Sequence, residues 1–171
     1  ALSSAQLASL STVQVQSMTP AQLSGLSSLQ FGAFSTPVVQ ALSAEQVGGL
    51  SSRVISGLPT AVLQSFSSAQ IQGLIGTQMA ALTSLQVNAL SASQWSAISG
   101  AQFSALSPST LAGMSSTQLT QLNAAQLQAL SPTQMAGLST QQLGVFTPQQ
   151  VSSMGVTALT GLTNAQVTSL S

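Results

Sequence analysis

Large apolar residues recur along this chain at alternating intervals of three and five, a period of eight. The stretch SPTQMAGL, Ser131 to Leu138, is preceded by NAAQLQAL and followed by STQQLGVF. Cutting every eight residues from Ser3 to Leu170 gives 21 octads with no insertion or deletion. Positions five and eight are apolar in all 21, the former running from Leu7 to Val167 and the latter from Leu10 to Leu170. Position one is Ser or Thr in 17 octads, the exceptions being Pro59, Ile75, Asn123 and Gly155. Position four is Gln in 16, the exceptions being Val38, Val54, Val62, Thr110 and Ala158. Position seven is Ala, Gly or Ser in all but Gln121 and Val145.

This word has a mechanism. Ser or Thr followed three residues later by Gln is a capping box: the hydroxyl accepts from the backbone N–H three residues on, and the Gln side chain reaches back to the cap's own N–H. The apolar residue before the cap then packs on the fourth helical residue as a hydrophobic staple, which pairs Leu130 with Met135 and Leu138 with Leu143. Proline agrees. Pro20, Pro108, Pro132 and Pro148 all stand at position two, the first helical position, where a missing N–H is harmless. Pro37 and Pro59 lie one place to either side, and no proline falls at positions four to eight. Each octad therefore reads as one short helix over roughly positions two to seven, followed by a bend. A helix this short is unstable alone, because isolated helices below about 12 residues are marginal in water. It must bury its two large apolar residues against other octads. Small residues at position seven let backbones approach, and glycines there, such as Gly25, Gly49 and Gly73, are expected also to help turn the chain.

The predicted fold is an all-α solenoid of 21 octapeptide repeats coiled around an apolar interior, a single continuous array over residues 1–171 that begins and ends inside a word. Other architectures fit less well. One long helix would rotate its apolar stripe by about 80° per octad and would carry internal prolines at about 3 kcal/mol each. A β-solenoid alternates inward and outward residues, so apolar intervals of three and five would point to opposite faces. A disordered chain does not place 42 large apolar residues so regularly. The word fixes the local bend but neither the hand nor the number of octads per superhelical turn.

Composition narrows function. Arg53 is the only basic residue and Glu45 the only acidic one, with no His, Cys or Tyr. Phosphate neutralisation, which carries nucleic-acid binding, needs many Lys and Arg. Anionic lipid attracts basic clusters. Metal sites need His, Cys or carboxylate groups in numbers, and acid–base catalysis has Glu45 alone as a candidate. No run of about 18 apolar residues is present. The expectation is no enzyme, no cofactor, no metal, no nucleic acid and no membrane insertion. Glu45 and Arg53 both stand at position three of adjacent octads, which makes them a candidate inter-repeat ion pair; on a surface such a pair is worth roughly 0–1 kcal/mol.

Trp95, Phe31 and Phe103 occupy position five, and Phe34, Phe66 and Phe146 position eight. These are core places in the word, so packing is favoured over a sugar-binding platform. Gln at position four is expected to close the capping box in preference to forming a recognition stripe. The exposed positions carry no uniform Thr column of the kind that ice binding needs. Serines lack a His or Lys to activate a nucleophile.

The word [ST]-x-x-Q-[apolar]-x-[small]-L, as in SAEQVGGL, TSLQVNAL, NAAQLQAL and TNAQVTSL, resembles repeats of very large secreted bacterial surface proteins described as adhesins, haemagglutinin-like or haem-utilisation-or-adhesion proteins. That resemblance implies surface attachment or an extracellular filament and carries over no catalytic residue. The haem part of the description finds no His, Cys or Tyr here. The reading is a structural or adhesive repeat protein, extracellular, associating with itself or continuing in a longer array. The alternative is a binding module whose polar, uncharged stripe contacts glycan, ice or another protein.

Overall fold

The computed structural model describes residues 3–169. Ala1, Leu2 and Ser171, which the frame assigns to outer words, and Leu170, the last letter of octad 21, lie outside them. The described residues form 21 helices and no strand, α1 (Ser4–Ala8) to α21 (Asn164–Ser169), one helix in each octad. Most run from position two to position six, as in α3 (Pro20–Ser24), α6 (Ala44–Gly48), α7 (Ser52–Ser56) and α9 (Ser68–Gln72). A few extend to position seven, as in α10 (Gly76–Ala81) and α12 (Ala92–Ala97). The fold is an all-α repeat solenoid.

The caps form as the word predicts. At Ser67, the hydroxyl accepts from Gln70 N–H at 3.2 Å and Gln70 Oε1 accepts from Ser67 N–H at 2.8 Å. Asn123 serves equally, its side-chain oxygen accepting from Gln126 N–H at 3.0 Å. Ile75 has no hydroxyl, so only half of the box closes, through Ile75 N–H to Gln78 Oε1 at 2.8 Å. Position one is extended (Ser131 φ −86°, ψ 159°), which makes the bend between words.

Position seven turns the chain differently from expectation. Among the described residues no glycine has a positive φ; Gly73 ends its helix at φ −72°, ψ −15°, ordinary right-handed backbone. Glycine is there for approach. A Cβ added to Gly73 would overlap the carbonyl oxygen of Ala44 and lie 2.7 Å from its carbonyl carbon. Gly161 meets the backbone of Pro132 in the same way, at 2.6 Å from its carbonyl carbon. In each case position seven of one octad rests on position two of the octad three words earlier. The rigid ring used at position two is matched accordingly: Pro20, Pro108 and Pro132 face Gly49, Gly137 and Gly161. Gly73→Ala therefore forces two backbones apart; overpacking of this kind costs typically 1–3 kcal/mol, read as a lower midpoint in thermal melting by circular dichroism.

Each helix stacks on the helices three octads before and after it. Helix α6 packs on α3 and α9, and α7 packs on α10. The chain thus returns beneath itself after three to four octads, the quantity the word alone left open. Positions five and eight turn inward and merge into one apolar core running the length of the stack, in which Leu7, Phe31, Ile55, Met79, Phe103 and Leu127 are all buried. Position four turns inward as well, and this gives the interior its polar component.

Candidate functional site

The feature that recurs in 16 of the 21 octads is the position-four glutamine. Its Oε1 closes the local cap, as the sequence indicates. Its Nε2 does something the sequence did not reveal. Gln78 donates to the carbonyls of Val47 (2.9 Å), Gly48 (3.3 Å) and Leu50 (2.6 Å). Gln86 meets Ile55, Ser56 and Leu58 at 2.8, 3.3 and 2.9 Å, and Gln94 meets Leu63, Gln64 and Phe66 at 2.9, 3.2 and 2.8 Å. The same arrangement holds for Gln102 and Gln134. In each of these the amide reaches the carbonyls at positions five, six and eight of the octad four words earlier; Gln70 and Gln126 reach those at five and eight, and Gln118 the one at five.

Those carbonyls lie at the C-terminal end of a helix, where intrahelical partners run out. The position-five carbonyl still accepts the position-eight N–H, as Val47 O does from Leu50 at 3.1 Å, but the position-six and position-eight carbonyls gain no backbone partner within the word. One planar amide therefore starts its own helix and finishes another, 28 to 31 residues away. Gln78 is fully enclosed and Gln126 likewise, so both ends of the amide must be paired; an unsatisfied buried polar group costs about 1–3 kcal/mol. Thr110, in place of Gln, retains one bond, from its hydroxyl to Leu82 O at 2.8 Å. Val38 and Val54 keep the apolar contact alone and are buried. Side chains at position six add links in the other direction: Asn88 donates to Gly113 O at 2.8 Å and accepts from Ser115 N–H at 3.0 Å.

The aromatic residues pack inside. Trp95 and Phe103 meet edge to face with ring centroids 6.0 Å apart, and Phe31 and Phe34 at 5.4 Å. Trp95 Nε1 is buried and has no hydrogen-bond partner. Glu45 and Arg53 are both exposed. They stand on consecutive helices, α6 and α7, each of which has its stacking partners three octads away. Glu45 borders a shallow open groove of about 380 Å³ with Met18, Thr19 and Pro20. A second groove of about 510 Å³ runs past Ser28, Leu29, Ala33 and Gly57 and contains no titratable side chain. Among the described residues no group of three or more His, Cys, Asp or Glu is assembled, and no helix is long and apolar enough to cross a membrane.

Comparison with known proteins bears on the repeat itself. Residues 124–156 match the family model of the ALTTAQ repeat. The matched stretch runs from Ala124 of NAAQLQAL through three whole octads with their caps, residues 131–154, to Val156. No curated protein and no solved structure matches the chain. The chain is a repeat protein, and the stretch similar to the ALTTAQ repeat contains the caps Ser131, Ser139 and Thr147 with their glutamines.

Proposed function

We propose that this array is a structural element of a bacterial extracellular fibre or surface adhesin, working by length and cohesion without turnover. The glutamine ladder is the observation that carries this reading. Each amide ties one turn of the solenoid to the turn before it, so the molecule's buried polar groups are spent on axial continuity. Stacked helices lie about 8–10 Å apart, so adding octads adds length in a nearly fixed increment, as in other solenoids. The surface is almost without charge, and uncharged polar surfaces repel one another little. A near absence of Lys and Arg leaves trypsin-like proteases only Arg53. These features suit a secreted, cohesive material.

Immunogold labelling of the source cells with antibody raised against the purified chain tests the proposal. Gold along extracellular filaments or on the outer surface is expected. Labelling confined to the cell interior would overturn it, and saturable binding to defined glycans by a dispersed monomer would favour a binding module instead.

A further inference from the structure

Position three of the word is exposed in every octad of the described residues, so the side chains placed there are what the solenoid shows to its surroundings. Glu45 and Arg53, the only charged side chains of the chain, both stand there. Among the described residues neither forms an ion pair. Leu29 stands there too and is 79% exposed. Stacking at intervals of three octads sorts the helices into three columns. One contains α1, α4 (Ser28–Phe31), α7 and α10, and another contains α3, α6, α9 and α12. Arg53 lies on α7, with Leu29 on α4 one turn below it. Glu45 lies on α6, with exposed Ala21 on α3 one turn below it. The two rows are complementary in the same order and at the same interval of three octads: a cation above a bulky apolar side chain, and a carboxylate above a methyl group. Glu45 also borders the groove of about 380 Å³, where Met18, Pro20 and Ala41 supply an apolar wall.

We propose that the column carrying Arg53 docks on the column carrying Glu45 of a second copy, the two solenoids lying side by side and pointing the same way. Arg53 then pairs with Glu45 across the contact, its aliphatic stem lying on the apolar wall of the groove. Leu29 packs over Ala21 at the level below. One register makes both matches, and reversing one copy loses the second. Charge complementarity names the occupant: the surface that offers the lone carboxylate side chain also offers the lone guanidinium. Each copy uses two different columns, so the contact is heterologous and further copies add laterally. An exposed ion pair contributes little by itself. On a surface without other charged side chains it selects the partner and fixes the register, while uncharged surroundings let the two faces approach without repulsion. This inference deepens the cohesive-fibre reading and rests on it.

The test is the association of the purified 171-residue chain. Weight-average mass by sedimentation should rise with concentration and fall when salt screens the pair. E45R and R53E each place like charges on the two columns and should associate roughly fivefold more weakly than the parent. Mixed in equal amounts, these two variants should recover the parent's mass, because each meets the opposite charge on the other. The double variant E45R/R53E should recover it alone. An ion pair formed within one chain is not restored by mixing. L29S should also weaken association. L85S should not, although it removes a leucine of similar exposure, 75%, because α11 (Ser84–Asn88) belongs to the third column. All these side chains are exposed, so circular dichroism should match the parent throughout. A parent that stays monomeric at every concentration, single variants that mix without recovery, or L29S and L85S acting alike would each overturn the proposal. A monomeric parent would leave the fibre reading to the immunogold result, which does not depend on this contact.

Discussion

Gln78→Glu will convert a chain of near-constant stability into one that weakens as pH rises. Gln78 is fully enclosed, accepts one backbone N–H and faces three carbonyl oxygens. A protonated carboxyl can still donate once and accept once in that place. An ionised one presents negative charge to three carbonyl dipoles, and the chain's one cation, Arg53, stands exposed to water on α7, which packs on α10. The folded state therefore holds the proton more tightly than the unfolded chain, where Glu titrates near 4.3. With the folded value raised, the variant is most stable below about pH 4 and loses stability as pH climbs above the unfolded value. The loss at neutral pH is expected to be of the order of 3–5 kcal/mol, as for other uncompensated buried charges. Denaturant midpoints followed by circular dichroism at low and neutral pH measure it. Equal midpoints at the two pH values would mean that the amide is not held against those carbonyls. Gln78→Leu, which removes the bonds without adding a charge, should show no such dependence.

Trp95→Ala is expected to cost about 3–5 kcal/mol, the usual range for emptying a buried aromatic site. Trp95 is the largest fully enclosed side chain and sits in octad 12, midway along the stack. It supports Phe103 edge to face, and its carbonyl receives Gln126 Nε2 at 3.2 Å. Solenoid stability is approximately a sum of local and nearest-neighbour terms, so damage at mid-array separates the two halves. The melt should broaden or split into two transitions, visible by calorimetry. Trp95→Phe should be much milder. It keeps most of the apolar contact and removes an indole N–H that lacks a partner. If the alanine variant melts as one sharp transition near the parent's midpoint, cohesion does not pass through this site.

Much of this fold was legible in the sequence because the word is local chemistry. Ser67 and Gln70 close a cap within four residues of each other, and neither needs the rest of the chain to do so. The apolar places were legible for the same reason: only one spacing recurs, so Leu111, Leu119 and Leu127 had to share one side. The turn of the solenoid was not, because it depends on contacts 24 or more residues apart. One long-range signal was nevertheless present. Every position-two proline whose partner octad lies within the chain, Pro20, Pro108 or Pro132, has glycine at position seven three words later. That pairing marks the stacking partner directly. The second half of the glutamine's work had no such trace. Gln70 Oε1 answers fully to the capping box, which left no residual demand to suggest that Nε2 finishes a helix near Val39. Glycine at position seven was partly misjudged, because a left-handed bend and a close approach call for the same residue. The backbone angle at Gly73 and the nearness of Ala44 decide for the second.

The proline–glycine pairs also govern how such a gene can change length. Words are largely interchangeable, so replication slippage that drops or duplicates one whole octad leaves most neighbours equivalent and the product foldable. The exceptions are the levels at which a ring of proline meets a bare α-carbon. Losing one octad between Pro132 and Gly161 would bring the serine of the next word against Pro132, and its Cβ would stand where hydrogen is required. These pairs act as registration marks, tolerating expansion of the array at some places and penalising it at others.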